Sequence, residues 1–316
     1  MSTTIRQSFS PVELAWIRNQ KPENLSITTV VLVCGEGLDP TCVKARIEDR
    51  LLAEGRLRQH VVHSQRPLSR PRWQEHVEFQ LANHFFLVDL RDRPRDTALT
   101  QWLAQLAAQP LDEELPLWQI LLGRLADERM AIVFRLHAAL ADSHAAARLA
   151  LRLIDVEPSP PTTEIGLEHV IPRRPLRERA GGAAAATRTL CQLITSRVDR
   201  DNPFRGPPTG EKRIHWSAPV VLLEPSDTPA YRFLAALAGA RRRAVQRHDT
   251  PADDVALRAI VSLDLRTPEE VGVGTRSATA LLRLPVAIGA QEGRIAALRD
   301  TLDRLARSPE GFVLLG

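Results

Sequence analysis

Apolar and polar positions along the chain switch between two periods. Ile27 to Val33 reads ITTVVLV, a β-branched run closed by Gly35 and Gly37, and predicts a buried strand. Asp39, Pro40 and Thr41 then open a helix whose apolar positions Val43, Ile47, Leu51 and Leu52 recur at helical spacing. Extended segments follow at Gln59–Val62, Arg72–His76 and Phe85–Leu90. A second amphipathic helix is predicted from Thr97 to Ala108, stopped by Pro110. Two strand-like runs, Trp118–Leu125 and Ala131–His137, flank a polar turn at Asp127–Arg129. Ser143–Ile154 is helical again, with Ala146, Leu149, Ala150, Leu153 and Ile154 on one side. Strands and helices mixed in this way indicate an α/β (α+β) sandwich.

The pattern changes at Glu157. EPSPPTTEIGLEHVIPRRPLRERAGG is rich in proline and turn formers and reads as a linker. A helix over Ala184–Val198 and a loop over Asp199–Gly210 continue it. The second unit is expected to carry strands at Arg213–Trp216, Val220–Leu223, Leu257–Leu265 and Ala280–Pro285, and helices at Pro229–Gln246 and Gly293–Ala306. Three segments result: an N-terminal domain over 1–156, a linker over 157–210 and a second domain over 211–316. The last strands and helices have no evident partner layer before the chain ends at RSPEGFVLLG, so the second domain is expected to be incomplete.

Composition narrows the function classes only slightly. The chain has 316 residues, 42 basic and 38 acidic, a formal excess of +4. That excess does not demand nucleic acid, and with 4% aromatic residues no stacking platform or groove-reading motif is visible. Cys34, Cys42 and Cys191 match no zinc or redox spacing, which favours a reduced compartment. No stretch approaches the roughly 20 apolar residues that span a bilayer. Gly35-x-Gly37 and Gly272-x-Gly274 lack the third glycine of a dinucleotide loop. Asp264 and Asp253-Asp254 offer no metal geometry, and no serine or cysteine nucleophile elbow is present.

Several phrases together carry a resemblance. They are Ser10-Pro11-Val12-Glu13 with Trp16, Pro22-x-Asn24 before the first strand, Arg70–Trp73 (RPRW), Pro116–Trp118 (PLW) and His137–Ser143 (HAALADS). In the second half, Val261–Glu270 (VSLDLRTPEE) and Gly274–Pro285 (GTRSATALLRLP) join them. As a set, these resemble the bacterial wax ester synthase/acyl-CoA:diacylglycerol acyltransferase family of the CoA-dependent acyltransferase superfamily. The resemblance implies a chloramphenicol-acetyltransferase-like architecture of two domains. It also implies transfer of a long-chain acyl group from acyl-CoA to diacylglycerol or a fatty alcohol, giving triacylglycerol or wax ester. The family signature is two histidines, three variable residues, then aspartate and glycine. Its second histidine would take the proton of the acceptor hydroxyl, work suited to a group that titrates near neutrality. Its aspartate would pair with a basic residue and fix the loop.

Here the signature is broken. His137 holds the first-histidine position, Ala138 stands where the base belongs, Asp142 keeps its place and Ser143 replaces glycine. A methyl group accepts no proton, and losing a general base costs about 10²–10⁴ in rate. A slip of one residue at the strand end would turn His137 inward, and His144 is a candidate rescuer one turn on. Three further departures are Ala230-Tyr231 where the family has Asn-Asp, Thr275 where asparagine is usual, and the early end.

Each of these residues also has a plainer reading. His137 would be a buried structural histidine bonded to the backbone, Asp142 a loop-fixing group, Ser143 a helix N-cap and His144 an exposed first-turn residue. Trp73 and Trp118 would be packing residues. Arg241, Arg242, Arg243 and Arg247 would be a solvated helix face, or else a contact for anionic headgroups or CoA phosphates. The expectation for function is therefore an O-acyltransferase impaired at Ala138, or a non-catalytic relative that binds acyl-CoA, lipid or an active paralogue. A condensation-like domain working with a carrier protein is a weaker third. Acyl-CoA enters as co-substrate, with no cofactor and no metal. Partners would be a lipid hydroxyl acceptor and, peripherally, a membrane or lipid-droplet surface, with no nucleic acid. The place would be the cytoplasm or the inner membrane face.

Overall fold

A computed structural model of the chain describes residues 6–63, 69–94, 97–155, 210–215, 229–248, 257–264, 273–274 and 277–307. It divides into two compact units: Met1–Glu157 with Pro208–Ser217 and Thr267–Arg276, and Pro158–Pro207 with Ala218–Arg266 and Ser277–Gly316. The first unit thus takes in two segments that sequence reading gave to the linker and the second domain. The predicted helix over Ala184–Val198 and strand over Val220–Leu223 lie outside the described residues.

The first unit begins with β1 (Arg6–Ser8) and α1 (Pro11–Arg18). Ser10 Oγ accepts the Glu13 N–H while the Glu13 carboxylate accepts the Ser10 N–H, a reciprocal cap that starts α1. β2 (Ile27–Glu36) follows, then α2 (Pro40–Arg46), capped by Asp39 Oδ1 on the Thr41 N–H. A π-helical turn over Ile47–Leu51 prolongs α2 and buries Ile47 and Leu51. β3 (Gln59–Val62), β4 (Arg72–Glu75), β5 (Phe85–Asp89), α3 (Ala98–Ala107), β6 (Trp118–Arg124), β7 (Arg129–His137) and α4 (Ser143–Leu151) complete it.

The strands form two sheets, β1-β4-β3 and β2-β7-β6-β5. In the larger sheet β2/β7 and β7/β6 are antiparallel and β6/β5 is parallel. β7 is buried at every position after Arg129, as a central strand covered on both faces must be. Its Met130, Ile132, Phe134 and Leu136 meet α2, the π-turn and α4, while Ala131 and Val133 meet Trp102, Leu103 and Leu106 of α3. Gly123 of β6 makes that second contact possible, since a Cβ there would lie 2.6 Å from the Trp102 ring. Arg135 shares the α3 face and spends its charge there. It donates to Gln119 Oε1 at 3.0 Å, to the Leu106 carbonyl at 2.8 Å and to the Gln109 carbonyl. Burial lowers the Arg135 pKa to about 10, so the side chain stays charged at neutral pH against the carbonyl end of α3.

In the second unit, α5 (Pro229–Gln246), β8 (Arg258–Asp264), β9 (Ser277–Arg283) and α6 (Gln291–Arg307) match expectation closely. β8 and β9 pair antiparallel. The buried Arg294 side chain ties α6 to α5 by donating to the Ala235, Ile288 and Gly289 carbonyls. The predicted strand at Arg213–Trp216 is corrected over its described part. Residues 213–215, which fall in the first unit, make no ladder, and the neighbouring Lys212 ammonium instead donates to the Glu23 carbonyl of that same unit.

Candidate active site

The HAALADS corner is the end of β7, a tight turn and the start of α4. Two other strands converge on it. The His137 N–H donates to the Leu117 carbonyl at 3.0 Å, and the Ala138 N–H donates to the Ser26 carbonyl at 2.8 Å. The turn closes because the Leu140 and Ala141 N–H groups both donate back to the His137 carbonyl. Ala139, Leu140 and Ala141 have no exposed surface at all. This corner is therefore packed from within, and the PLW and HAALADS phrases lie side by side because Leu117 and His137 are bonded.

His137 is 2% exposed, and both its ring nitrogens are engaged. Nδ1 lies 3.0 Å from the Ala139 N–H, which can only donate, so Nδ1 is the acceptor. The neutral ring then carries its proton on Nε2, 2.8 Å from Gln20 Oε1, which accepts it. Gln20 passes the chain outward by donating from Nε2 to Glu113 Oε1 at 3.2 Å. The one lone pair of the neutral imidazole is used by the backbone. Burial lowers the His137 pKa to about 4, as expected of a ring that must give up the Ala139 bond to take a second proton. The strand does not slip, since β7 runs in register with β2 from Ala131 to His137. Among the readings of His137, the geometry matches the structural one.

Asp142 is buried, and its Oδ1 accepts the Ala145 N–H at 2.9 Å. It is the N-cap of α4, which corrects the assignment of that role to Ser143. The reason lies in the backbone. Asp142 has extended angles (φ −71, ψ 174), as a capping residue needs, whereas Ser143 is already the first helical residue and is exposed. His144 follows at the second helical position and is half-buried rather than exposed.

The remaining candidates fall into the packing. Trp118 has no exposed surface, stacks on His84 at 4.5 Å between ring centroids and donates Nε1–H to the Leu57 carbonyl at 2.7 Å. Trp73 stacks on Phe9, with the Arg56 guanidinium 4.7 Å from its ring centroid and Glu13 beyond. Tyr231 is in the core of the second unit, while Thr275 lies outside the described residues. Arg242 donates to the Val286 and Ala287 carbonyls, so the arginine cluster is partly structural; Arg241, Arg243 and Arg247 are exposed. Among the described residues no group of three or more His, Cys, Asp or Glu could hold a metal, and no helix is long and apolar enough to cross a membrane.

Sequence reasoning missed Gln20, Glu113 and Ser26, all of which reach the corner from a distance in the chain. Gln20 stands 117 positions from His137, and no spacing rule signals it. Ser26 had a signal that went unused, since it follows the Pro22-x-Asn24 phrase and leads straight into β2.

A Mycobacterium tuberculosis H37Rv protein, provisionally named a diacylglycerol O-acyltransferase, is 28% identical over 246 residues, covering 68% of this chain and 52% of its own. The tgs3 product of the same organism, also provisionally a diacylglycerol O-acyltransferase, is 31% identical over 126 residues, 40% of this chain and 46% of its own. The chain thus spans about half the length of these curated relatives. Among solved structures, a wax ester synthase/diacylglycerol acyltransferase from Marinobacter aquaeolei VT8 superposes with a TM-score of 0.61 at 17% identity, over 97% of this chain and 74% of that one. A starter condensation domain of rhizomide synthetase RzmA, in complex with C8-CoA, gives 0.61 at 16% identity over 98% and 77%. These likenesses establish the chloramphenicol-acetyltransferase-like fold. The family model of the wax ester synthase/diacylglycerol acyltransferase catalytic domain matches residues 35–286, a span that contains the whole HAALADS corner, and the chain belongs to that family.

Proposed function

We propose that this chain keeps the framework of an acyl-CoA-dependent O-acyltransferase but lacks the proton acceptor its chemistry needs. The reaction would move a long-chain acyl group from acyl-CoA to diacylglycerol or a fatty alcohol, and it would run at or near the uncatalysed rate. The reading rests on the bonding of His137. The position of the family's base is the methyl group of Ala138, and the adjacent imidazole has its lone pair tied to the Ala139 N–H. His137 cannot deputise without breaking the turn, and Asp142 is committed to capping α4. His144, half-buried on the first turn of α4, remains the candidate rescuer.

The test follows CoA release from acyl-CoA with diacylglycerol or fatty alcohol, using the parent chain and Ala138→His. The parent is expected to match the enzyme-free blank. Ala138→His is expected to rise above it, by up to about 10²–10⁴, the usual worth of a general base. A parent rate well above the blank would refute the impaired-site reading and redirect attention to His144→Ala. A second reading, a non-catalytic protein that holds acyl-CoA, lipid or an active paralogue, is favoured by the burial of Tyr231 where the family has Asn-Asp. It requires parent and Ala138→His to be equally inert while the parent still binds acyl-CoA. Contact with a membrane or lipid-droplet surface from the cytoplasmic side belongs to either reading.

A further inference from the structure

Ser26 departs from ordinary behaviour twice. Its φ is +52, in the left-handed region that residues other than glycine rarely occupy. Its hydroxyl is buried and has no hydrogen-bond partner, although the residue as a whole is only 9% exposed. Each feature is a cost, and native folds rarely accept both at one residue without a reason. Asn24 supports the unusual backbone, its Oδ1 accepting the Ser26 N–H at 3.4 Å.

The location suggests the reason. β2 and β7 pair antiparallel up to Ile27 opposite His137, so the next pair in the same register is Ser26 opposite Ala138. The bond from the Ala138 N–H to the Ser26 carbonyl makes half of that pair. The residue with the orphaned hydroxyl is therefore the direct backbone partner of the position at which the side chain has been cut back to a methyl.

We propose that Ser26 is the positioning residue for the side chain at position 138. Its hydroxyl would accept the Nδ1–H of an imidazole there, fixing the tautomer whose Nε2 lone pair is free for the acceptor alcohol. In the present chain, with Ala138, that hydroxyl is left without its partner. A hydrogen bond of this kind to the far nitrogen is how a working imidazole is oriented. The inference rests on the reading of position 138 as the base position, but its test needs no turnover.

The experiment is a double-mutant cycle on thermal stability, with the titration of the introduced imidazole followed by NMR. Ser26→Ala keeps a Cβ at the same backbone angles and removes only the hydroxyl. In the parent it should leave the melting midpoint unchanged or raise it, since an unpaired buried group is lost. In the Ala138→His background the same change should lower the midpoint by a few degrees. It should also move the introduced imidazole's pKa down by about half a unit or more, because a bond that favours the charged ring is gone. Equal shifts of the midpoint in both backgrounds, or superimposable titrations, would overturn the proposal. Should Ala138→His fail to fold, the cycle is run with Ala138→Asn, whose amide can donate to the same oxygen, and zero coupling there overturns it equally. CoA release is scored separately, so an inert Ala138→His with strong coupling to Ser26 would refute the proposed function and leave this inference standing.

Discussion

Two of the places in the first unit that take imidazole nitrogens out of water do so in opposite ways. At the HAALADS corner, His137 has Nδ1 accepting from the Ala139 N–H and Nε2 donating to Gln20. At the smaller sheet, His60 of β3 and His76 just past β4 meet edge to face, 4.9 Å between centroids. Their Nδ1 atoms are both buried and have no hydrogen-bond partner. Burial first, and then the neighbouring His76, hold the His60 pKa below its ordinary value. A buried histidine is thus no sign of a reactive one. Hydrogen-bond bookkeeping separates a ring that organises its surroundings from a pair that is merely packed, and at His137 no ring nitrogen is left for a general base.

The largest effect is expected at His137. Replacing it by alanine removes a fully buried ring and leaves the Ala139 N–H and the Gln20 carbonyl oxygen unpaired, so His137→Ala should cost about 3 kcal/mol or more in urea unfolding. His137→Asn should lose less, because its Oδ1 can take the place of Nδ1 towards Ala139. The next effect in size is on pH. The folded pKa of about 4 lies below the ordinary 6.5, so above pH 6.5 neither state is charged and the corner contributes in full. As pH falls from 6.5 the unfolded chain takes up a proton that the folded chain refuses. Stability is therefore lost between pH 6.5 and about 4, amounting to about 3 kcal/mol. Unfolding midpoints measured across that window should fall steeply in the parent and more gently in His137→Asn. An equal slope in both would place the acid sensitivity elsewhere.

How far sequence could see the corner follows from what each feature depends on. β3 appears over the predicted residues and the hairpin strands β6 and β7 within two of their predicted bounds, because alternation and a polar turn are local properties. α5 is matched end to end, with proline at its start. α1 went unread although Ser10 and Glu13 spell out its capping box, and β1 is a three-residue strand with no periodicity to detect. The π-turn at Ile47–Leu51 looks like ordinary helix in sequence, since its buried Ile47 and Leu51 keep helical spacing. Strand order and the Gln20–His137 bond depend on parts of the chain that meet only after folding. The broken motif could be seen in the letters at Ala138. That His137 cannot replace the base could be seen only from the Ala139 and Gln20 bonds.

The smallest expected effect sharpens the other side of the comparison. His60→Phe removes one orphaned Nδ1 and keeps an aromatic ring to meet His76 edge-on. Exchanging an unpaired buried nitrogen for carbon gives back a desolvation cost, so the change should lie within about 0.5 kcal/mol of neutral, or be stabilising by up to about 1 kcal/mol. The imidazole whose pKa burial and His76 hold down would also be gone, so the acid destabilisation that His60 contributes should disappear with it. Urea midpoints at pH 7 and pH 5 measure both effects. A loss greater than about 1 kcal/mol at pH 7 would mean that the His60 nitrogen works for the fold as His137 does, and the contrast between the two sites would fail.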